Sequence, residues 1–250
     1  ERHLEHFRRS PHLGTSYSRS IFIDGQGAPM GLYQDSKLTD IEPIDMFVRC
    51  PIGSGSTPIV RRETWEAIAF KSNHFGEEVD SYFDASPELL LGEDVECWYR
   101  LLTRSGWGFE GIGDYLTLYR IYGESNSANL TGKADSWERL LDWVAHYDAE
   151  RVAGFRRAAM SYHDRYLARR AVTNGHGLPA SRYALRAMVQ YPQLLAEEPG
   201  RTLVTLAAAL TTCLMPKSVV EKLLGRATGH AKAEQSALIA AALEAAAGPD

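Results

Sequence analysis

Cysteine is scarce: 250 residues hold three, at positions 50, 97 and 213. They are far apart and odd in number, so they form neither a metal-ligand spacing nor a disulfide framework, which fits a reducing compartment. A basic face is also lacking. The net charge is -5, and the pairs Arg8-Arg9, Arg61-Arg62, Arg156-Arg157 and Arg169-Arg170 are scattered among acids. Duplex-binding proteins usually carry a basic face, so nucleic acid is not a favoured partner. Long hydrophobic runs are missing too. The longest, Thr202 to Met215, falls short of the roughly 20 residues that a bilayer span requires. Finally, no Asp-x-Asp occurs, and no strand–loop–helix suited to holding a nucleotide base precedes the other motifs.

What is present is an ordinary globular composition, 44% hydrophobic and 24% charged. Glu1 to Arg9 reads as a helix without a preceding cap, ended by Ser10-Pro11. With Glu as residue 1, the reading is a fragment or a chain lacking its natural beginning. Ser16 to Asp24 alternates and is rich in Tyr, Ile and Phe, which predicts a strand; Gly25-Gln26-Gly27 turns it. Leu38 to Arg49 is mixed, either a short helix or an irregular approach. Pro58 to Arg61 predicts a short strand, Glu63 to Phe70 a short helix, and Asn73 to Glu88 an exposed loop. Residues 93–104 predict a helix stopped at Ser105-Gly106. Trp107 to Ile112 and Tyr115 to Ile121 read as two strands around Gly113-Asp114.

From about residue 131 helical periodicity takes over. Trp137, Leu140, Leu141, Val144 and Tyr147 make one apolar stripe. Tyr162 to Val172, Pro179 to Tyr191 and Arg201 to Met215 predict further helices, and Pro216 opens another. The expected domains are 1–131 (mixed α/β), 132–230 (helical) and an Ala-rich tail, 231–250, loosely helical or frayed. The fold class is thus α/β followed by an all-helical region.

Three segments carry chemistry. Leu91-Gly92-Glu93-Asp94 opens an apolar helix with acids in its first turn. By itself that is a helix cap, because the dipole and orphan N–H groups favour carboxylates there. Upstream stands the small-residue loop Gly53-Ser54-Gly55-Ser56, followed by Pro58-Ile59-Val60-Arg61-Arg62-Glu63-Thr64-Trp65. Downstream stands Tyr119-Arg120-Ile121-Tyr122-Gly123-Glu124-Ser125-Asn126-Ser127. In this order and at these separations, the three resemble the C-terminal, acceptor-side half of a family-2 nucleotide-sugar glycosyltransferase of the A-type fold.

The resemblance covers roughly residues 1 to 130. It implies transfer of a sugar from a nucleotide-sugar donor to the hydroxyl of a glycan or lipid-linked acceptor, with inversion. Asp94 would be the base, with Glu93 beside it. Gly53, Ser54, Gly55, Ser56, Arg120, Tyr122 and Ser125 would line the substrate side. Small residues let backbone N–H groups approach a sugar or phosphate closely. Two positions depart from the family pattern. Ala69-Phe70-Lys71-Ser72 stands where relatives commonly read Gly-Gly-Phe-Asp, and Tyr122 replaces a His. A neutral phenol donates to phosphate but is a poor ligand for Mg²⁺ or Mn²⁺. The resemblance implies a divalent metal for the full-length enzyme, held by residues that this chain does not supply. It also implies a cytoplasmic setting, with the inner membrane face as the alternative.

A different class stays open: a non-catalytic carbohydrate-binding or scaffold module whose helical part docks a partner. The remaining residues read mostly as structure. His3, His6 and His12 read as solvated, not as a metal set. Trp98, Trp107, Trp137 and Trp143 read as core, and Trp65 or Trp107 as the choice for an exposed ring stacking on a sugar. The 202–215 helix reads as packed core, with membrane-surface association as the alternative.

Overall fold

A computed structural model describes residues 1–74, 76–89, 92–121 and 130–215, with backbone alone for residue 88 and residues 130–134. The chain forms two compact units. Up to residue 121, the first takes all described residues except 86–89 and 92; these and 130–215 form the second.

The first unit is a mixed sheet flanked by helices. Its central strand, β1 (Leu13–Ile23), is buried except at Arg19 and Phe22. Tyr17 and Ile21 are wholly enclosed. A strand covered on both faces reads as near-continuous apolar or small residues, as this one does. β6 (Gly108–Arg120) runs parallel to it along its length. The other flank of β1 is shared by two antiparallel strands, β3 (Ile59–Val60) against Thr15-Ser16 and β2 (Pro29–Gln34) against Ser20 to Ile23. A parallel pair needs a crossover, and α4 (Glu93–Arg104) lies on that connection.

The helix α4 has the bounds that the periodicity predicts, and Gly106, at φ 74°, turns the chain after it. Three expectations change, the first being that the helix expected over Glu63 to Phe70 stops at Glu66 and Phe70 begins a strand. The pair of strands expected around Gly113-Asp114 is one strand with a bulge: Ser18 pairs with Ile112 and Arg19 with Tyr115, so residues 113 and 114 are looped out. The loop expected over 73–88 contains half of a hairpin, β4 (Phe70–Ser72) with β5 (Val79–Ser81). That hairpin is joined by a Lys71–Asp80 ion pair at 2.9 Å instead of by apolar alternation.

Helix α1 (Arg2–Arg9) is pinned to the sheet by Arg61. Its Nε donates to the Leu13 carbonyl at 2.7 Å and Nη2 to the Phe7 carbonyl at 3.2 Å, with the guanidinium 4.7 Å from the Phe7 ring centroid. The first arginine of the Arg61-Arg62 pair is therefore a clamp between elements. α2 (Asp45–Arg49) packs Phe47 on Tyr99 of α4, ring centroids 5.4 Å apart, and α3 (Arg62–Glu66) follows β3.

The second unit is helical. α5 (Leu130–Thr173) is broken at Asp148 (φ -145°, ψ 52°), so it acts as two helices. Leu140, Leu141 and Val144 are fully buried, as their stripe requires, and Trp137 stacks on His163 at 4.7 Å between ring centroids. α6 (Gly177–Gln190), the short α7 (Leu194–Glu197) and α8 (Pro199–Leu214) complete it. Ala168, Ala171 and Val172 of α5, Ala180 and Ala184 of α6 and Ala209 of α8 share one core. Small side chains let these helix axes approach closely. The 202–215 segment was expected as packed core and is so on one face alone: Thr202, Thr205, Ala209 and Thr212 are buried, while Leu203, Val204, Leu210, Leu214 and Met215 are exposed. Among the described residues no helix is long and apolar enough to cross a membrane. The helix expected from Pro216 and the 231–250 tail lie outside the described residues.

Candidate functional site

The charge of the candidate base reaches the thiol of Cys50, three residues before the small-residue loop. Asp94 sits in the first turn of α4, half-buried, its Oδ1 accepting from the Val95 N–H at 2.7 Å. Burial pushes the Cys50 thiol up to about 11, and the nearby Asp94 charge adds to the rise. The same thiol sulfur accepts from the backbone N–H groups of Ile52 and Gly53, which oppose that rise. Cys97, one turn along α4, is raised to about 12, chiefly by burial, with Glu96 and Asp94 contributing and Arg100 opposing. Asp94 thus lies within electrostatic range of Cys50, three residues before the loop.

The loop itself is rigid at its base and open at its tip. Thr57, buried, donates its hydroxyl to the carbonyls of Ile52 and Ser54, both at 2.8 Å. The Ser54 N–H donates to the Ile52 carbonyl at 2.8 Å, and the Ser54 hydroxyl accepts from the Ser56 N–H at 3.2 Å. Gly53, Gly55 and Ser56 are exposed, and Ser54 is half-buried. Gly53 lies at φ 69°, where a side chain is strained, and a Cβ there would fall 1.7 Å from the Gln34 amide nitrogen. The left-handed φ favours glycine here, and the Gln34 side chain of β2, which could move aside for a larger residue, lies against the loop.

Glu93 is half-buried, and its Oε2 is enclosed without a hydrogen-bond partner among the described residues. A shielded, unpaired carboxylate oxygen costs free energy, about 1–3 kcal/mol or more for a charged group, and such exceptions call for a functional or structural reason.

Arg120, at the end of β6, is exposed and turns its Nη1 onto the carbonyls of Asp24 and Gly25, each at 3.0 Å. It clasps the β1–β2 turn and stands on a different part of the sheet edge from the loop contacts above. Tyr122 and Ser125, named with it, lie outside the described residues. Among the described residues no group of three or more His, Cys, Asp or Glu is placed to hold a metal ion. The carboxylates at α4 do not by themselves fit the divalent ion that the resemblance implies, so no step is derived through one.

Two features escaped the sequence reading. His3 and His6, read as solvated, both direct Nδ1 at the buried Ser16 hydroxyl, at 2.8 and 2.9 Å. The three-residue spacing on α1 was the available signal, since it puts both rings on one face. His6 Nε2 and His12 Nε2 stand 3.4 and 3.8 Å from the Glu110 carboxylate. The second is the company of Trp65, which was itself singled out from the sequence: it joins Tyr82, Phe83 and Trp98. No family model, curated protein or solved structure matches this chain.

Proposed function

We propose that the chain forms the acceptor-side part of a glycosyltransferase of the A-type fold, moving a sugar from a nucleotide-sugar donor to an acceptor hydroxyl with inversion. Asp94 takes the acceptor proton as the oxygen attacks the anomeric carbon and the nucleoside diphosphate departs. The observation that carries this reading is the setting of Asp94. It is a half-buried carboxylate at a helix start, its charge felt at Cys50, the residue that opens onto the 53–56 loop. The helix start keeps such a group ionised and aimed, as a base requires. Glu93, with its enclosed unpaired oxygen, stands next to it.

The mixed sheet adds support at a coarser level. β1 and β6 are parallel with α4 on the connection between them, so the carboxylates lie at a crossover in an α/β sheet, where ligand sites commonly form. The donor side needs groups to hold a diphosphate. In this reading they come from outside this sequence, which has no Asp-x-Asp. The test is a transfer assay on the product of the complete gene, with a panel of nucleotide sugars and analysis of the product's anomeric configuration. Transfer with inversion that collapses in Asp94→Asn supports the reading. Absence of transfer from every donor, or turnover unaffected by that substitution, refutes it.

A further inference from the structure

α8 is inverted for a helix at a surface. Such a helix normally turns its larger apolar side chains to the core and its hydroxyls to water. Here three threonines and Ala209 are buried, while Leu203 is 54%, Leu210 43% and Leu214 82% exposed.

The inner face is settled by close contacts. A Cβ on Gly177 of α6 would fall 2.3 Å from the Thr212 carbonyl oxygen, and the Ser181 hydroxyl donates to the Ala209 carbonyl at 3.2 Å. Thr205 and Thr212 donate to the carbonyls one turn back, Arg201 and Ala208, each at 2.7 Å. Ala209 joins the small-residue core of α5 and α6. Rotating α8 to hide its leucines would drive them into that contact, so the apolar face stays outside.

The outer face also has a period. Leu203, Ala207, Leu210 and Leu214 follow one another at steps of four, three and four residues. That is the narrow seam by which one helix meets another. No charged residue occurs from Thr202 to Met215. α6 provides the contrast: its exposed stripe at the same spacing, Leu178, Arg182, Leu185 and Val189, has a charge inside it.

The seam complements itself. Let two copies of α8 run antiparallel about a twofold axis between residues 208 and 209. Ala207 then falls opposite Leu210 of the second copy, and Leu203 opposite its Leu214. Small meets large in the two central layers, and the symmetric contact closes at two copies. A membrane-surface helix has instead a basic polar face, whereas the other face of α8 is neutral and packed on α5 and α6.

We propose that the outer face of α8 joins two copies of this chain, helix against helix in antiparallel register. The face offers fewer residues than the roughly 20–30 a side of a standard interface, so the dimer is a weak one. This contact stands apart from sugar transfer and does not depend on it.

The experiment is sedimentation velocity of the whole chain from ~1 to ~500 µM, a range that brackets weak association. The mass should rise from one chain towards two. Leu210→Glu puts a carboxylate into both central layers and should weaken association by roughly 30-fold or more. Because Leu210 is exposed, that variant should melt as the dilute parent does, which separates lost contact from lost folding. Leu210→Met should keep the dimer. Leu118→Lys, on the free edge of β6, should keep it too. A parent that stays monomeric at the highest concentration overturns the proposal, whether or not it then binds phosphatidylglycerol vesicles. Association of Leu210→Glu equal to the parent's overturns it as well. Loss of association in Leu118→Lys would place the contact on β6 and remove α8 from it.

Discussion

Arg100 grips Glu96 at both carboxylate oxygens, Nε to Oε1 at 2.6 Å and Nη2 to Oε2 at 2.9 Å, one turn apart on α4 and almost wholly shielded from water. A pair this enclosed is expensive to break from one side. Glu96→Gln should leave the guanidinium partly unpaired and lower stability by about 3–5 kcal/mol. Urea unfolding of the chain measures it. A loss below about 1 kcal/mol would mean that the carbonyls of Ile68 and Tyr82 satisfy Arg100 without Glu96.

For catalysis, Asp94→Asn in the product of the complete gene should cut turnover by ~10²–10⁴-fold while nucleotide-sugar binding changes little. Steady-state rates with parallel calorimetry decide this. Near-normal turnover would move the base to Glu93 or elsewhere.

The thiols report on the same carboxylate. Cys50 and Cys97 are raised to about 11 and about 12 by burial, with Asp94 adding to both, so neither should react with iodoacetamide at pH 8 in the folded state. Cys213 is exposed and should react alone. Because both folded values lie above the ordinary thiol value, folding loses stability as pH rises through about 9 to 11. Asp94→Asn removes a charge that raises Cys50, so alkylation of Cys50 should begin at lower pH in that variant. Mass spectrometry of the labelled peptides reads this directly. An unchanged Cys50 profile would separate the two groups.

The Ser16 clasp gives a pH dependence with a definite sign. Ser16 has one hydroxyl proton to donate, so one of His3 and His6 must donate its own Nδ1–H to the oxygen. Burial holds His3 below its ordinary 6.5, the positive charge of His6 and the chain's amino group act the same way, and Asp114 opposes them. The unfolded chain therefore binds the proton more readily. Stability should be full above about pH 6.5 and fall as the pH drops through the depressed value. His6 and His12 face Glu110, and Arg2 pairs with Asp114 at 2.6 Å, so those groups stay in place in the comparison. Urea midpoints at pH 7.5, 6 and 5 should slope less in His3→Gln than in the parent. Parallel slopes would remove His3 as the source.

Much of this architecture was readable from residue order. The bounds of α4 follow from acids ahead of an apolar repeat and Gly106 behind it, because both ends are local signals. The stripe of Trp137, Leu140, Leu141 and Val144 was equally plain, and its last three residues are fully buried. What escaped depends on partners distant in sequence. The β4–β5 hairpin has exposed Val79 and charged Lys71 and Asp80 in place of alternation. The bulge at Gly113-Asp114 looks like a turn until β1 is set beside it. The site was half legible. Asp94 and Gly53 carry local signals, one a helix start and the other a left-handed turn. That Asp94 lies close enough to Cys50 to raise its thiol, and that Arg120 is bent onto Asp24 and Gly25, requires the fold.

The sheet of the first unit closes on one flank with β2 and β3, but among the described residues β6 is the last strand on the other. Its later half carries Leu116 at 42%, Leu118 at 55% and Tyr119 at 38% exposure. The Leu38 carbonyl takes the Gly111 N–H at 2.7 Å on this flank, but beyond that point the strand pairs with no other strand on this side among the described residues, and such an edge with apolar side chains is a template for more backbone pairing. The consequence is colloidal. Copies of the isolated chain can ladder along β6, so its shelf life should depend on concentration more than its melting temperature does. Glu110, Asp114 and Arg120 act as the local brakes, and a lysine in place of Leu118 would be the first remedy for a preparation that clouds.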